Sequence, residues 1–186
     1  NYSCDVFALH KDVDDQTLSN ADAPLNPLRE ASEFVMQRLL LRRELQFVSD
    51  FLATGVWGTD MTGVNTAPTG NQFRKWSDYI NSDPILDIEA GKEKVIQTTG
   101  LEPNTLVLGY QAFRQLRHHP DIIDRFKYTT NQNITADLLA RLFEVDRVLV
   151  TKAVKATNNE GAAAAYDFAF GGSALLCHVA PTPGLL

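Results

Sequence analysis

The sequence predicts an α+β fold in which one unusually long helix precedes shorter helices and strands. The stretch from Pro27 to Ala53 contains no helix breaker after its first residue and is rich in Leu, Arg, Gln and Glu, all strong helix formers. Downstream of it, short apolar runs alternate with helical patterns, and turn residues separate them. The 186 residues are enough for one domain or two small ones with a sizeable core.

The long helix has clear start and stop signals. Pro27 suits a first helical position, Asn26 is a candidate cap just before it, and Gly55 follows as a stop signal. At 1.5 Å per residue the helix would be about 40 Å long, well beyond the usual mean of about 11–12 residues.

The apolar residues of the long helix fall into two groups when residues are placed at 100° steps. The first group is Phe34, Leu41, Leu45, Val48 and Leu52, and the second is Met36, Leu40, Phe47 and Phe51. Such a helix is expected to contact different partners along its length, with part of an apolar side exposed in the isolated subunit. The alternative is a long core helix of an ordinary domain.

Composition excludes several classes of protein. The formal charge of −6 argues against a dedicated nucleic-acid binder, because phosphate neutralisation needs a basic surface. No apolar run reaches 18 residues, so no membrane span is predicted. Cys4 and Cys177 make no disulfide framework and fit a reducing compartment. Because Asn1 stands where a Met would start the chain, we expect a truncated or processed start.

The segments that flank the long helix predict simpler structure. Residues 2–9 favour a short strand, and the acidic cluster Lys11–Asp15 favours a solvated turn over a calcium loop, since it lacks the glycine and the distal glutamate. Thr54–Gly70 is rich in Gly, Thr and Asn and predicts a loop with Trp57 as its anchor. Asn71–Tyr79 is ambiguous, although Phe73, Trp76 and Ile80 have helical spacing.

The remainder predicts a mixed sheet of Leu106–Leu108 and Val148–Val150, covered by helices at Gln111–His118 and Thr135–Phe143. The other predicted elements are a helix from Pro84 to Gly100, a turn from Pro120, a strand over Asp146–Val154, a loop over Thr157–Ala163, and a hairpin of Tyr166–Phe170 and Ala174–Val179 around Gly171-Gly172-Ser173. Leu142→Ala is expected to cost about 2–5 kcal/mol. The residues expected to be buried are Leu108, Phe113, Leu116, Leu139, Leu142 and Val150.

No catalytic, cofactor-binding or metal-binding residue is predicted. There is no G-x-S-x-G elbow, and no Ser, His and carboxylate are patterned as a triad. His118 and His119 are adjacent, so they point to different faces of a helix and cannot easily share one metal ion. Asp121 and Asp124 fit a cap and a surface charge better than an acid/base couple.

The order of these elements resembles a known family. The most specific phrases are LEPNTLVLGYQAFRQLRHHPDI and, some residues later, LFEVDRVLVTKAV. Together with the long helix and the segment YDFAFGGSALLCHVAP, they resemble the major capsid (coat) proteins of tailed bacteriophages and prophages, whose fold is named after phage HK97. The resemblance covers roughly Leu25 to Pro181.

The resemblance implies a structural virion protein and not an enzyme. Residues 1–100 would form a peripheral domain with the spine helix 27–53, and residues 101–186 an axial domain with a mixed sheet flanked by helices. Such subunits self-assemble in the bacterial host cytoplasm into pentamers and hexamers of an icosahedral head. Scaffold or other head proteins are possible partners, double-stranded DNA is enclosed without sequence-specific binding, and no membrane or cofactor is implied.

The resemblance also implies missing parts. The N-terminal arm and most of the extended loop would lie before Asn1, and a final return strand would lie after Leu186. We therefore expect this chain to be a monomer or small oligomer in dilute solution. Two alternatives stay open, namely an encapsulin-type nanocompartment shell and an α/β enzyme with an unrecognised site. A cleft with converging titratable groups of perturbed pKa would support the enzyme.

Overall fold

The computed structural model describes residues 5–127 and 133–182 and is an α+β structure. Contacts divide the chain into two compact units, Asn1–Asp50 and Phe51–Leu186. The helices are α1 (Asp15–Ser19), α2 (Pro27–Phe51), α3 (Pro84–Thr99), α4 (Tyr110–His118), α5 (Pro120–Phe126) and α6 (Ala136–Leu142). The strands are β1 (Thr62–Val64), β2 (Gln72–Arg74), β3 (Thr105–Gly109), β4 (Arg147–Thr151), β5 (Val154–Ala156), β6 (Tyr166–Phe168) and β7 (Ala174–Cys177).

The long helix is confirmed as one continuous element. α2 covers 25 residues without a break, and the side chain of Asn26 accepts a hydrogen bond from the backbone N–H of Arg29 at 3.1 Å, as expected of a cap. Within the first unit, cationic side chains lie over aromatic rings beside this helix. Lys11 Nζ is 4.8 Å from the Phe34 ring centre, and the Arg42 guanidinium is 4.6 Å from that of Phe7.

The strand predicted near the start of the chain is wrong where the structure describes it. Residues 5–14 belong to no strand, and Val6 is 93% exposed. A strand needs a neighbour that satisfies its backbone groups, and the described residues provide none for this segment. Within the acidic cluster, Asp14 instead caps α1 by accepting from the Thr17 backbone N–H. Residues 2–4 of the predicted strand lie outside the described range.

The second unit is built on the predicted mixed sheet, with strand order β4-β3-β7. β3 pairs in parallel with β4, so that Leu106 lies opposite Val148, and antiparallel with β7, so that Leu106 also lies opposite Leu176. The predicted hairpin of β6 and β7 is wrong, because β6 pairs with β5 in a separate two-stranded ribbon. The chain passes between the two sheets through Gly171, whose φ of +59° suits a glycine.

One ambiguous stretch is resolved by the structure, and one sequence prediction is corrected. The ambiguous stretch 71–79 is not helical, since β2 pairs in parallel with β1 and turns follow it. The stretch from Pro120 is the helix α5, not a turn, because Pro120 occupies its first turn and Ile122 is fully buried. In the loop before β1, Trp57 donates from Nε1 to the Phe51 carbonyl at 2.6 Å, which agrees with its predicted anchoring role.

The core of the second unit lies between the sheet and the helices. Leu108, Leu116 and Leu139 are fully buried, as predicted, whereas Phe113, Leu142 and Val150 are only half-buried beside the core. Helix α3 contributes to the same cluster. The clustered residues are Ile85, Ile88, Leu106, Leu108, Leu116, Ile122, Leu139, Ala140, Phe143, Val145 and Val148. Residues on both sides of position 100 therefore share one core. The assignment of peripheral and axial domains stays a prediction.

A buried lysine joins α3 to the turn after α6. Lys92 Nζ donates to the carbonyl oxygens of Phe143 at 3.2 Å and Glu144 at 3.3 Å, which lie at the carboxyl end of α6. The carboxylates of Glu102 and Glu144 lie 3.4 and 3.8 Å from the same ammonium group. Glu144 has a positive φ of 52°, so this turn is held in a backbone conformation that a non-glycine residue rarely adopts.

Gly109 is expected to tolerate no side chain. A Cβ at this position would lie 2.1 Å from the backbone oxygen of Gly171, and the backbone cannot yield as a side chain can. Gly109→Ala should lower the free energy of unfolding by about 1–3 kcal/mol or more. Gly172→Ala is the matched control, since its Cβ would meet only the Gln111 side chain at 3.8 Å. Equal stabilities of the two variants in urea denaturation would contradict the close approach.

Truncation of Leu139 should destabilise the fold more than truncation of Leu142, the residue for which the sequence predicted the cost. Leu139 is fully buried, whereas Leu142 is only half-buried beside the core. Leu139→Ala should cost about 2–5 kcal/mol because it leaves a cavity, and Leu142→Ala should cost less. Chemical denaturation of both variants measures this difference, and the reverse order would mean that α6 packs through another face.

Candidate functional site

The structure brings together a Ser, a His and an Asp that no sequence spacing linked. Ser82 Oγ lies 2.9 Å from His119 Nε2, and His119 Nδ1 lies 3.5 Å from Asp121 Oδ2. Ser82 precedes α3 and His119 joins α4 to α5, so only the packing of these helices makes them neighbours. This arrangement superficially matches a nucleophile, a base and an orienting carboxylate.

The hydrogen bonds exclude that chemistry. The Ser82 hydroxyl has one proton, and it donates that proton to the Asp78 carbonyl oxygen at 2.6 Å. Its contact with His119 is therefore made with the imidazole Nε2–H as donor. In this tautomer Nε2 has no lone pair with which to remove a proton from the serine. A base in a triad requires the opposite tautomer.

The burial of Ser82 and His119 also argues against catalysis. Ser82 is 5% exposed and His119 fully buried, so a substrate has no access to the hydroxyl. His119 Nδ1 makes no hydrogen bond within the described part of the chain, and the ring of Tyr79 meets the imidazole edge-on at 5.7 Å between ring centres. The cluster therefore connects the segment before α3 with the α4–α5 junction and acts in stability, not in catalysis.

Asp87 is a carboxyl beside this cluster whose pKa is displaced. Burial, opposed by a hydrogen bond from Trp76 Nε1 at 2.9 Å, raises the pKa of Asp87 above its model-compound value of 3.8. The neighbouring charge of Asp83 raises this pKa further, and His119 acts against it. A single carboxyl held between a Trp and a helix start does not provide the converging set of reactive groups that an enzyme needs.

The other residues considered from the sequence are separated in space or have structural roles. His118 is exposed while His119 is buried, as their adjacency predicted. Asp124 is an exposed charge 4.0 Å from Lys127. Across residues 5–127 and 133–182, no three His, Cys, Asp or Glu side chains gather in a way that could hold a metal ion. In the same ranges, no helix is long and apolar enough to cross a membrane.

The exposed apolar surface of α2 is a stronger functional candidate. The second predicted group of the helix is exposed throughout, with fractions of 58% for Met36, 46% for Leu40, 37% for Phe47 and 41% for Phe51. We call these four residues the α2 stripe. They lie within about 60° of one another around the helix. In the first group, Leu41, Leu45 and Val48 are half-buried.

The composition of the α2 stripe is that of a protein–protein contact. Met and Phe are enriched in the centres of interfaces. The stripe consists of two pairs four residues apart, Met36 with Leu40 and Phe47 with Phe51, and Arg43 lies between the pairs on the same side of the helix. Periodicity predicted two apolar sides for this helix. It could not say which side the fold would leave exposed, because that depends on the tertiary packing.

The pKa of Asp87 gives a pH-dependent prediction. Because its folded-state pKa is raised, the folded state favours the protonated form, and stability falls as the pH rises from 3.8 through the folded pKa. Asp87→Asn should therefore stabilise the protein at neutral pH, and this gain should vanish in acid below 3.8. Thermal unfolding across pH measures the gain, with the exposed Asp124→Asn as the control for net charge. A gain that grows in acid would contradict the assignment.

Comparisons with known proteins find phage capsid proteins. The chain is 39% identical over 79 residues to the major capsid protein of Burkholderia phage BcepMu, covering 42% of this chain and 26% of that protein. It is 27% identical over 153 residues to the major capsid protein of Pseudomonas phage JBD67, covering 81% of this chain and 46% of that protein. No protein-family model matches the sequence.

A solved structure agrees with these relatives. The crystal structure of a phage-related protein from Bordetella bronchiseptica aligns with a TM-score of 0.66 and 27% identity, covering 83% of this chain and 47% of that one. The chain thus spans between about a quarter and a half of the proteins that it matches. The resemblance to phage capsid proteins is confirmed, and both curated relatives are named as structural components of a virion and not as enzymes.

Proposed function

We propose that this chain is a structural subunit of the icosahedral head of a tailed bacteriophage or prophage. In this proposal it has an HK97-like fold, joins copies of itself into pentamers and hexamers, and contributes to a shell that encloses double-stranded DNA. The observation that carries the proposal is its similarity to two phage major capsid proteins, one of which aligns over 81% of this chain.

The α2 stripe supports a role in assembly. A subunit of a closed shell must contact several neighbours, and each contact needs apolar surface that the isolated subunit leaves exposed. Met36, Leu40 and Phe47 provide such a surface on the longest helix of the chain. A catalytic domain, by contrast, would be recognised by polar residues that converge on one cleft.

The charge of the chain suits a container for DNA. With 17 Lys and Arg against 23 Asp and Glu, the chain carries a formal charge of −6. Strong DNA binding depends on cationic side chains that displace counterions from phosphate groups. A mildly acidic subunit can enclose DNA without holding it tightly, so sequence-specific recognition forms no part of the proposal. Within this proposal the domain assignment is a peripheral part over 1–100 and an axial part over 101–186, with assembly in the host cytoplasm.

Two alternatives predict different results. An encapsulin-type shell would enclose proteins and would need a surface that binds a cargo peptide. An enzyme would need an accessible reactive centre, and the buried Ser82–His119–Asp121 cluster does not provide one. The names of the curated relatives favour the phage head over both.

The α2 stripe gives a direct test by mutation. Leu40→Asp places a charge in the middle of the stripe, while Leu40 is exposed enough that the fold should tolerate the change. We expect self-association to weaken at least tenfold, equivalent to about 1.4 kcal/mol per contact. Ser49→Asp is the matched control, because Ser49 is exposed on the opposite side of the same helix.

The measurement is light scattering with negative-stain electron microscopy over a concentration series of each protein, with circular dichroism as the check on folding. Wild-type protein and Ser49→Asp should show association that grows with concentration towards ring-shaped particles, and Leu40→Asp should lag behind them. Because a monomer or small oligomer is expected in dilute solution, the decisive range is the highest concentrations, and a wild-type chain that stays monomeric there would overturn the proposed function. Equal association of Leu40→Asp and Ser49→Asp would show that the α2 stripe takes no part in self-association.

A further inference from the structure

The ribbon of β5 and β6 has two edges, and on β6 the Phe168 N–H already donates to the Asp167 carboxylate at 2.8 Å. Val154–Ala156 pairs antiparallel with Tyr166–Phe168, and neither strand is joined by a third one within the described residues. A two-stranded ribbon is only marginally stable alone, and an unpaired edge presents backbone groups that can pair with another strand. Natural proteins usually cover or pair such edges.

The ribbon also has two different faces. In the observed register, Val154 lies opposite Phe168 and Ala156 opposite Tyr166, so these four side chains share an apolar face. Lys155 lies opposite Asp167 on the other face. Phe168 is half-buried, with its ring centre 5.4 Å from that of Tyr110, but Tyr166 is 71% and Val154 42% exposed.

The two charges select among the possible edge pairings with a second copy. In the register that sets the middle residues of two strands opposite each other, pairing β5 with β5 brings two Lys155 side chains together, and pairing β6 with β6 brings together two Asp167 side chains. Like charges opposite each other on neighbouring strands are destabilising, whereas opposite charges are favourable. Pairing β5 of one copy with β6 of the next continues the Lys155–Asp167 alternation that the ribbon already has.

We propose that β5 of one copy pairs antiparallel with β6 of the next copy, so that the ribbons of neighbouring subunits form a continuous sheet. The partner is a second copy of this chain. Because the two edges differ, the contact is head-to-tail, and repetition of such a contact gives a ring when the rotation between copies closes. This inference rests on the proposed function and names one contact through which the subunits of a ring would meet.

Two cysteine variants test which edges meet. Lys155→Cys and Asp167→Cys are made in separate chains whose Cys4 and Cys177 are replaced by serine, mixed, and mildly oxidised. Directly paired strand positions have Cβ atoms about 4.5–5.5 Å apart, which is close enough for a disulfide after a small shift. We expect a covalent dimer containing one chain of each kind, identified by mass, and little dimer from either variant alone.

The outcomes separate this contact from the proposed function. A dimer formed mainly by one variant alone would show that like edges meet and would overturn the inference. Association in light scattering without a mixed disulfide would also overturn it and would leave the proposed function standing. A chain that neither associates nor forms the disulfide would overturn both.

Charge exchange provides an independent measurement. Lys155→Glu leaves two acidic residues on the ribbon and Asp167→Lys leaves two basic ones, so each variant alone faces like charges between copies. Each should raise the concentration needed for association about two- to fivefold. An equal mixture should recover the wild-type value, because Glu and Lys then face each other across the contact. The repulsion within each chain is the same before and after mixing, so it cannot cause such a recovery. A mixture that associates as weakly as the single variants would contradict the pairing.

Discussion

The second unit depends on the central position of strand β3. This strand pairs in parallel with β4, which lies about 40 residues later, and antiparallel with β7, which lies some 70 residues later. The side chains of Leu106 and Leu108 project from it into the core and are almost completely buried. At its end, Gly109 lies so close to the Gly171 backbone that only a hydrogen atom fits between them. Because β3 joins distant segments, it determines where α3, α4 and α6 can pack.

The buried ammonium group of Lys92 also joins distant segments of the second unit. An ammonium group inside a core is costly unless oxygen atoms surround it. Two backbone carbonyls at the end of α6 and two carboxylates provide those oxygens, and α3 is thereby joined to the turn that leads into β4. The polar contact of Ser82 with His119 links the start of α3 to the α4–α5 junction in a similar way. The polar groups buried in this unit thus connect its helices to one another.

Local signals predicted the elements that local physics determines. The caps Asn26, Asp83 and Thr135 and the left-handed Gly100 mark helix ends where the sequence placed them. The failed strand predictions concern pairing between distant segments, while the helix α5, which was predicted as a turn, is a failure of local interpretation. Residues 166–179 contain two strands and a glycine turn, which is the local pattern of a hairpin, yet each strand finds its partner elsewhere. The encounter of Ser82 with His119 and the choice of the exposed side of α2 likewise depend on tertiary packing, which periodicity does not encode.

The proposed function rests on the exposed apolar surfaces of the chain and on the burial of its polar cluster. The cluster of Ser82, His119 and Asp121 is the one most similar to a catalytic site, but its serine and histidine are buried. The Ser82 hydroxyl donates its proton to the Asp78 carbonyl oxygen and not to His119. Exposed apolar residues lie on α2, where Met36 and Leu40 are examples, and on the β5–β6 ribbon, where Tyr166 is the most exposed. Similarity to phage major capsid proteins gives both surfaces a consistent role, because shell subunits meet through several separate contacts. The proposed function therefore assigns the role of this chain to its contacts with other copies.

Oxidative footprinting of the two methionines tests this account most directly. Met36 lies in the α2 stripe and is 58% exposed, while Met61 lies outside it and is 37% exposed. Exposed methionines are oxidised to the sulfoxide, and covering them slows the reaction. As protein concentration rises and copies associate, oxidation of Met36 should slow relative to that of Met61. An unchanged ratio of the two rates in the associated protein would contradict the claim that the stripe is a contact between subunits.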